Sequence, residues 1–346
     1  MKRAERSEDG RIGGRSVGDI AETVAAADGI DAGDSEEILA TLRGVAADGA
    51  VTEESVRSAL AHLSKVVSTP ATRVELSGIE LESAREDASE VTDVPTVAMR
   101  LDGFAAERAR IESAVADLDG DLRALTGRAE AVPAGDGPSD DEAVELYEIA
   151  AERRRIHAEA TRLQGVADDL TTEIESFRRW VSQASVRHDE LRTDAGELAR
   201  AIEALEDSVA SIADADDDER DDGPRDSDAE AWFDCVLRHR VLALQTADLR
   251  AAAADVETVD DRLRADSDGT AHDDVHGRVD DLRPRLEETA DRLDTLARPE
   301  WRDRFSPKVA AFEEALDAFE PPVEWSAVLT TFREARDSSR SSTHTQ

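Results

Sequence analysis

Cysteine occurs once in the 346 residues, lysine three times, and aromatic residues make up only 3%. A single thiol, Cys235, excludes an intramolecular disulfide framework and a thiolate metal cluster built from one chain. So few rings cannot form an extended base-stacking platform. No uncharged apolar run approaches the roughly 18 residues that a spanning helix requires. The opening MKRAERSEDGR has no apolar core of a secretory signal. The expectation is a soluble, cytoplasmic protein with no membrane partner. Glycine-rich phosphate cradles are missing as well, because neither GxxxxGK[ST] nor GxGxxG occurs.

What the chain has in abundance is negative charge. Asp and Glu total 81 against 42 Lys and Arg, a formal charge of −39 distributed along nearly the whole length, and 39 of the 42 basic residues are arginine. Self-repulsion of this size weakens a compact state in dilute buffer and is screened within a few ångströms at molar salt. The composition therefore points to the cytoplasm of a salt-in halophile, where general acidity says little about a basic partner. With 40% apolar residues the chain can still build real cores, and its length allows two or more domains.

Helix-start chemistry divides it. Capping boxes are predicted at Ser16–Asp19, Asp34–Glu37, Ser139–Glu142 and Ser227–Glu230. Two of them close loop-like stretches, PAGDGPSDD (Pro133 to Asp141) and IADADDDERDDGPRDSDAE (Ile212 to Glu230), which read as solvated connectors feeding helices. From Ile149 a spacing of alternating four and three visits 19 positions as far as Ile212, and only Arg153 and His188 among them are not apolar. At 40% apolar content about 8 of 19 would match by chance, so the heptad is a real signal. A second run from Leu101 to Val132 has Arg108 as its only polar member. Two long helices joined by a short loop dock most economically antiparallel.

The expected fold class is all-α: elongated antiparallel coiled-coil hairpins preceded by a small tri-helical, winged-helix-like module. The boundaries read as a helical module with a disordered start at 1–92 and a long coiled-coil hairpin at 93–212. An acidic linker at 213–228 leads to a second hairpin at 229–298, two short helices at 299–336 and a disordered tail at 337–346. Within the first module Val17–Ala27, Ser35–Ala47 and Thr52–Val67 are predicted as short helices, and RVELSGIEL (Arg73 to Leu81) as the one extended stretch. Pro284 is expected to start or kink a helix, and Pro307 to open one at its first position.

Candidate chemistry is sparse. GRSVG (Gly14 to Gly18) spells a nucleophile elbow, but an elbow needs a buried strand before the serine, and a helix cap accounts for Ser16. HDDVH (His272 to His276) spaces two histidines by four, yet has Asp where zinc hydrolases have Glu and no third ligand in register. AADGAVTEES (Ala46 to Ser55) resembles the end of a calcium loop, but Gly44 and Ala46 stand where ligands belong, which leaves an inter-helix turn capped by Thr52. No catalytic, cofactor or metal residues are assigned. Two surface candidates remain. Arg57, His62, Lys65 and Arg73 place basic groups along the third short helix, a candidate nucleic-acid contact disfavoured by the 11 acids between Val17 and Gly78. Phe177, Trp180 and Val181 form either core packing at a helix bend or a partner-binding patch.

The stretches GRIGGRSVGDIAETV, DGAVTEESVRSALAHLSKVVSTPATRVELSGIEL and ESFRRWVSQASVRHDEL together resemble the haloarchaeal halo transducer protein family. That resemblance implies kinship with sensory transducers, long helical coiled coils that relay signals to a kinase. The chain departs from true transducers in lacking membrane spans and a kinase-docking hairpin tip; VLALQTADLRAAAADV (Val241 to Val256) is too short to serve as one. No functional residue carries over. The expectation is a non-enzymatic scaffold or signalling adaptor, able to oligomerise, that meets an unidentified protein partner through its helical surfaces. A DNA-binding regulator is the alternative. The charge load makes folding salt-dependent: far-UV circular dichroism should show lower helicity and a lower melting temperature in 0.1 M than in molar KCl, and identical curves would remove the halophile reading.

Overall fold

A computed structural model describes residues 15–27, 35–132, 140–218, 226–264 and 269–341, of which 89% are helical. Among the described residues the elements are β1 (Arg15–Ser16), α1 (Val17–Ala26), α2 (Ser35–Arg43), β2 (Ala50–Val51), α3 (Glu53–Asp87), α4 (Pro95–Ala131), α5 (Asp140–Ser182), α6 (Ala184–Asp218), α7 (Asp226–Leu263), α8 (Gly269–Leu296), α9 (Pro299–Leu316) and α10 (Trp325–Ser341). The all-α class stands. The chain divides into two compact units, Met1–Ala84 with Asp102–Glu175, and Arg85–Leu101 with Ser176–Gln346.

In the first unit α3, α4 and α5 run up, down and up. Gly78 of α3 meets Arg108 of α4, while Arg128 and Arg155 reach back from one helix of the α4–α5 pair to Glu145 and Asp121 of the other, both antiparallel registers. Arg73 of α3 pairs with Asp168 of α5 at 3.3 Å, a parallel register. The apolar seam is buried as its period requires: Leu63, Leu125, Ile149, Ile156 and Ile174 are 1% exposed or less.

The polar exceptions in the two seams have a common explanation here. Arg108 lies over Gly78, and Arg153 over Gly44, which sits just beyond α2. A Cβ on Gly78 would stand 3.0 Å from Arg108 Nε, and one on Gly44 2.7 Å from Arg153 Nη1. Glycine thus makes room for an arginine guanidinium to lie against the neighbouring backbone.

The small elements at the start of this unit follow from one turn. Asp48 and Gly49 both take positive φ, 51° and 77°, and close a two-residue hairpin in which Ala47 and Ala50 exchange backbone bonds of 2.9 and 3.0 Å. β2 leaves that turn and pairs antiparallel with β1. Ser16 then caps α1, accepting from Asp19 N at 3.1 Å, as its capping box predicts. Thr52 caps α3 through Ser55 N at 3.0 Å.

Several expectations need correction. The third short helix is 35 residues long, and RVELSGIEL is part of it: Val74, Ser77, Leu81 and Ala84 are buried at helical spacing, so packing against neighbouring helices overrides the strand preference of the β-branched residues. A winged-helix module is therefore not formed; its strands are two residues each. Ser227 lies inside α7, which starts at Asp226, so its capping box is not made. The boxes beginning at Asp34 and Ser139 fall outside the described residues. Pro284 and Pro307 both lie within helices, and α9 opens earlier, at Pro299. α10 runs through Ser341, past the point where the tail was expected to lose order, because no breaker intervenes; residues 342–346 lie outside the described set.

The second unit changes the domain plan most. α6, α7 and α8 pack on one another. α7 and α8 are antiparallel, with Trp232 Nε1 donating to Leu293 O at 2.9 Å and His239 Nε2 placed 2.9 Å from Leu286 O. α6 runs parallel to α8, Arg285 gripping Glu206 through two bonds of 3.0 and 2.7 Å. The helix before the acidic stretch and the helices after it thus share one core, so the stretch does not separate independent hairpins. α6 also extends to Asp218, well into the expected linker. α9 and α10 fold back along α7: Phe233 stacks on Phe305 with centroids 4.5 Å apart, and Asp248 accepts from Val323 N and Trp325 Nε1 at 2.9 and 2.7 Å.

Two outcomes are expected. Gly120→Ala and Gly165→Ala, where a Cβ would meet nothing within 4 Å in a helix interior, should each raise stability by about 0.5–1 kcal/mol, whereas Gly78→Leu should cost about 1–3 kcal/mol by displacing Arg108, all read from denaturant midpoints. Burial, helped by Arg240, pulls His239 below the ordinary imidazole value despite its bond to the Leu286 carbonyl. A depressed folded-state value means that the unfolded chain takes up the proton first, so this stabilisation is complete above about pH 6.5 and is lost as pH falls below it. His239→Gln, which can still donate to Leu286, should flatten the fall in stability between about pH 7 and 5.

Candidate functional site

The first unit contains a cavity of 950 Å³ between the start of α3, the end of α4 and the start of α5. Its volume is that of a ligand or peptide cleft. The floor is apolar, formed by Val56, Leu60, Leu122, Leu146 and Ile149. Leu122 and Ile149 belong to the two heptad seams, Val56 and Leu60 to α3, and these four are largely buried, 6% exposed or less. Ala61, Gly127 and Ala129 keep the walls low.

Charged groups of both signs line the cavity. Arg57 pairs with Glu53 one turn earlier on α3, and Arg123 with Asp119 one turn earlier on α4. Glu130 and Glu142 add further carboxylates. Exposed i,i+4 pairs of this kind contribute little stability but keep the rim polar around an apolar floor. Such a rim is ill suited to a phosphate backbone, because carboxylates outnumber the lining arginines Arg15, Arg57 and Arg123, and the last two stand beside one.

The basic residues of the candidate nucleic-acid contact do not form one patch. Arg57 belongs to the cavity rim and is engaged by Glu53, and Arg73 lies four turns further along, engaged by Asp168. His62 and Lys65 are exposed on α3 between them. At about 100° per residue the four side chains spread over roughly 160° of the helix surface.

The aromatic candidates lie in the second unit and are buried: Phe177 is 2% exposed, Trp180 and Val181 3%. They offer no surface to a partner. Phe177 and Trp180 stack with centroids 5.9 Å apart at the end of α5, and the guanidinium of Arg100 sits 4.8 Å over the Trp180 ring. The helix breaks just beyond, at Gln183. Arg187 folds back across the break, donating from Nη1 to Trp180 O and Val181 O at 2.6 and 2.7 Å and from Nε to Asp260 Oδ1 of α7 at 2.8 Å. His188 Nε2 lies 2.8 Å from the other oxygen of Asp260. All three polar residues are buried. The core reading of the aromatic cluster is the one the geometry supports.

Sequence reasoning found His188 as a seam exception but missed Arg187 and Asp260. The available signal was their setting: Arg187 adjoins that exception, and Asp260 falls in DVETVDDRL beside the seam residues Val256 and Val259. The cavity left no signal, since its floor residues look like any other seam positions.

Other motifs resolve into structure. Ser16 is engaged as a cap. His276 lies 3.9 Å from Glu257, while the side chain of His272 is outside the described residues. Among the described residues no group of three or more His, Cys, Asp or Glu side chains is placed to hold a metal ion, and no helix is long and apolar enough to cross a membrane. Cys235 is buried, and that burial pushes its thiol up to about 11, the reverse of what an activated nucleophile needs. Compared with family models, curated proteins and solved structures, the chain matches none.

Proposed function

We propose that this chain is a non-enzymatic, cytoplasmic helical adaptor of a salt-in halophile, related to transducer-type coiled coils, which holds the apolar face of a helical segment from a partner protein. The reading rests on one observation, the cleft of the first unit: an apolar floor between three helices, with Arg57 and Arg123 on its rim paired to neighbouring carboxylates. A helix-in-groove contact needs such a floor to receive anchors at i, i+3, i+4 and i+7 and needs no convergent acid–base pair. Arg57 and Asp119 then act as rim charges that set approach and register, and Leu60 and Leu122 as the surfaces the anchors meet. The alternative, a regulator using α3 to touch DNA, draws only on the exposed His62 and Lys65.

Both readings can be tested on the full chain in molar KCl. A photo-crosslinking side chain at Ser64, on the cavity wall, should trap a partner polypeptide from native lysate, and Gly127→Trp, which fills the cleft, should reduce that product at least tenfold with unchanged circular dichroism. Equal products with and without the tryptophan would sink the adaptor reading. Salt-sensitive binding of duplex DNA, abolished by Arg57→Glu with Lys65→Glu, would replace it with the regulator.

A further inference from the structure

Between Gly165 and Gly196 the sequence contains neither glycine nor proline, the residues at which sharp helix kinks usually occur. The apolar seam passes through the same region without change of phase: Phe177, Val181, Ala184, His188, Leu191 and Ala195 follow the four-three alternation unbroken. Local sequence therefore favours one helix from α5 into α6, yet the structure breaks at Gln183. The remaining ladder shows how narrow the break is. Gln183 N still reaches Arg179 O at 3.0 Å, and Arg187 N reaches Gln183 O at 3.4 Å. Three rungs that a continuous helix would make, Ala184 N to Trp180 O, Ser185 N to Val181 O and Val186 N to Ser182 O, are absent among the described residues, and Val186 N reaches Gln183 O at 3.1 Å instead. The Trp180 and Val181 carbonyls accept instead from Nη1 of Arg187.

We infer that the α5–α6 break is a latched joint: Arg187, held in place by Asp260 of α7, occupies the two carbonyls that backbone amides would otherwise take, and its release lets α5 and α6 join into one helix. The latch has an anchor independent of the carbonyls, since Nε and Nη2 of Arg187 both donate to Asp260 Oδ1, whose partner oxygen meets His188. Its side chain is 1% exposed and that of Asp260 2%, so the pair is shielded from competing water. Each arrangement satisfies Trp180 O and Val181 O, by a guanidinium in one and by amides in the other. This gives two discrete states of similar hydrogen-bond content rather than a graded bend. Ser182 favours opening locally, its hydroxyl donating back to Arg178 O and Arg179 O at 2.9 and 3.2 Å. Any event that shifts α7 against α6 acts on the joint through Asp260. The inference does not depend on the cleft of the first unit.

The deciding measurement is amide hydrogen exchange across residues 180–188 in the full chain, comparing wild type with Arg187→Met/Asp260→Leu. The double substitution removes both charges together and so avoids leaving one buried and alone. Exchange at Ala184 and Ser185 should slow at least tenfold in the variant, as the two amides gain acceptors, while loss of general stability would speed it. Equal or faster exchange at those two amides in the folded variant would overturn the joint. Should the double variant not fold, Arg187→Lys serves, because a single ammonium cannot hold both carbonyls and the carboxylate in the same fork geometry, and the same two amides decide. Spin labels at Ser176→Cys and Glu197→Cys, introduced beside the buried Cys235, give a second readout. Their separation should lengthen toward about 31 Å, the rise of 21 helical residues, when the latch is removed; an unchanged distance distribution would count against joining.

Discussion

One apolar seam, running in sequence from Ile149 to Ile212, supplies core positions to each of the two units. A seam of this kind is narrow: a residue every three or four positions faces inward and the rest face water. In a chain carrying 81 acids the outward positions are largely charged, so little apolar surface remains to widen the core. Helix partners must then be fixed by the seam and by specific polar contacts placed beside it. Arg108 on Gly78, Arg153 beside Gly44 and the Arg187–Asp260–His188 cluster are those contacts, and each falls at or next to a seam exception.

The basic residues show why arginine and not lysine was retained. Arg128 reaches Glu145 and Glu148, Arg155 bridges Asp121 and Glu152, and Arg285 forks onto Glu206. Arg187 uses three nitrogens at once. A planar fork with five donors can tie two helices while satisfying several acceptors, which a point ammonium cannot. At the surface these pairs are individually weak. Buried, as at Arg187, the same geometry makes the pair costly to break from one side.

Helix class, the two C-terminal helices and the long seam were legible because they depend on period and composition, which a single sequence displays. What was not legible depended on which helix packs against which. RVELSGIEL alternates with the period of a strand, although Val74, Ser77 and Leu81 also fit a helical face; only the presence of α4 alongside decides between them. The acidic stretch after Ile212 does read as a break in pattern, but sequence could not show that α6 on one side packs with α7 and α8 on the other. The cleft of the first unit was invisible for a related reason. Leu60 and Leu122 fit their helical repeats and are largely buried, so nothing in their pattern marks the cavity beside them.

The two uncertain places in the long helix illustrate how a seam can conceal function. At the first-unit cleft the helical pattern is regular, and a cavity nevertheless lies between the ends of three helices. At Gln183 the pattern is again uninterrupted and the backbone is not, so a conformation is imposed by contacts from α7. Local preference and tertiary arrangement disagree at both, and such disagreements concentrate where a structure does something besides fold. They differ in what resolves them. The cleft is relieved by adding an apolar face from outside, whereas the break is relieved by removing an internal arginine from two carbonyls. The two places are physically separate: the cleft is lined by helices of the first unit, whereas the Gln183 break is spanned by Arg187 and Asp260 of the second.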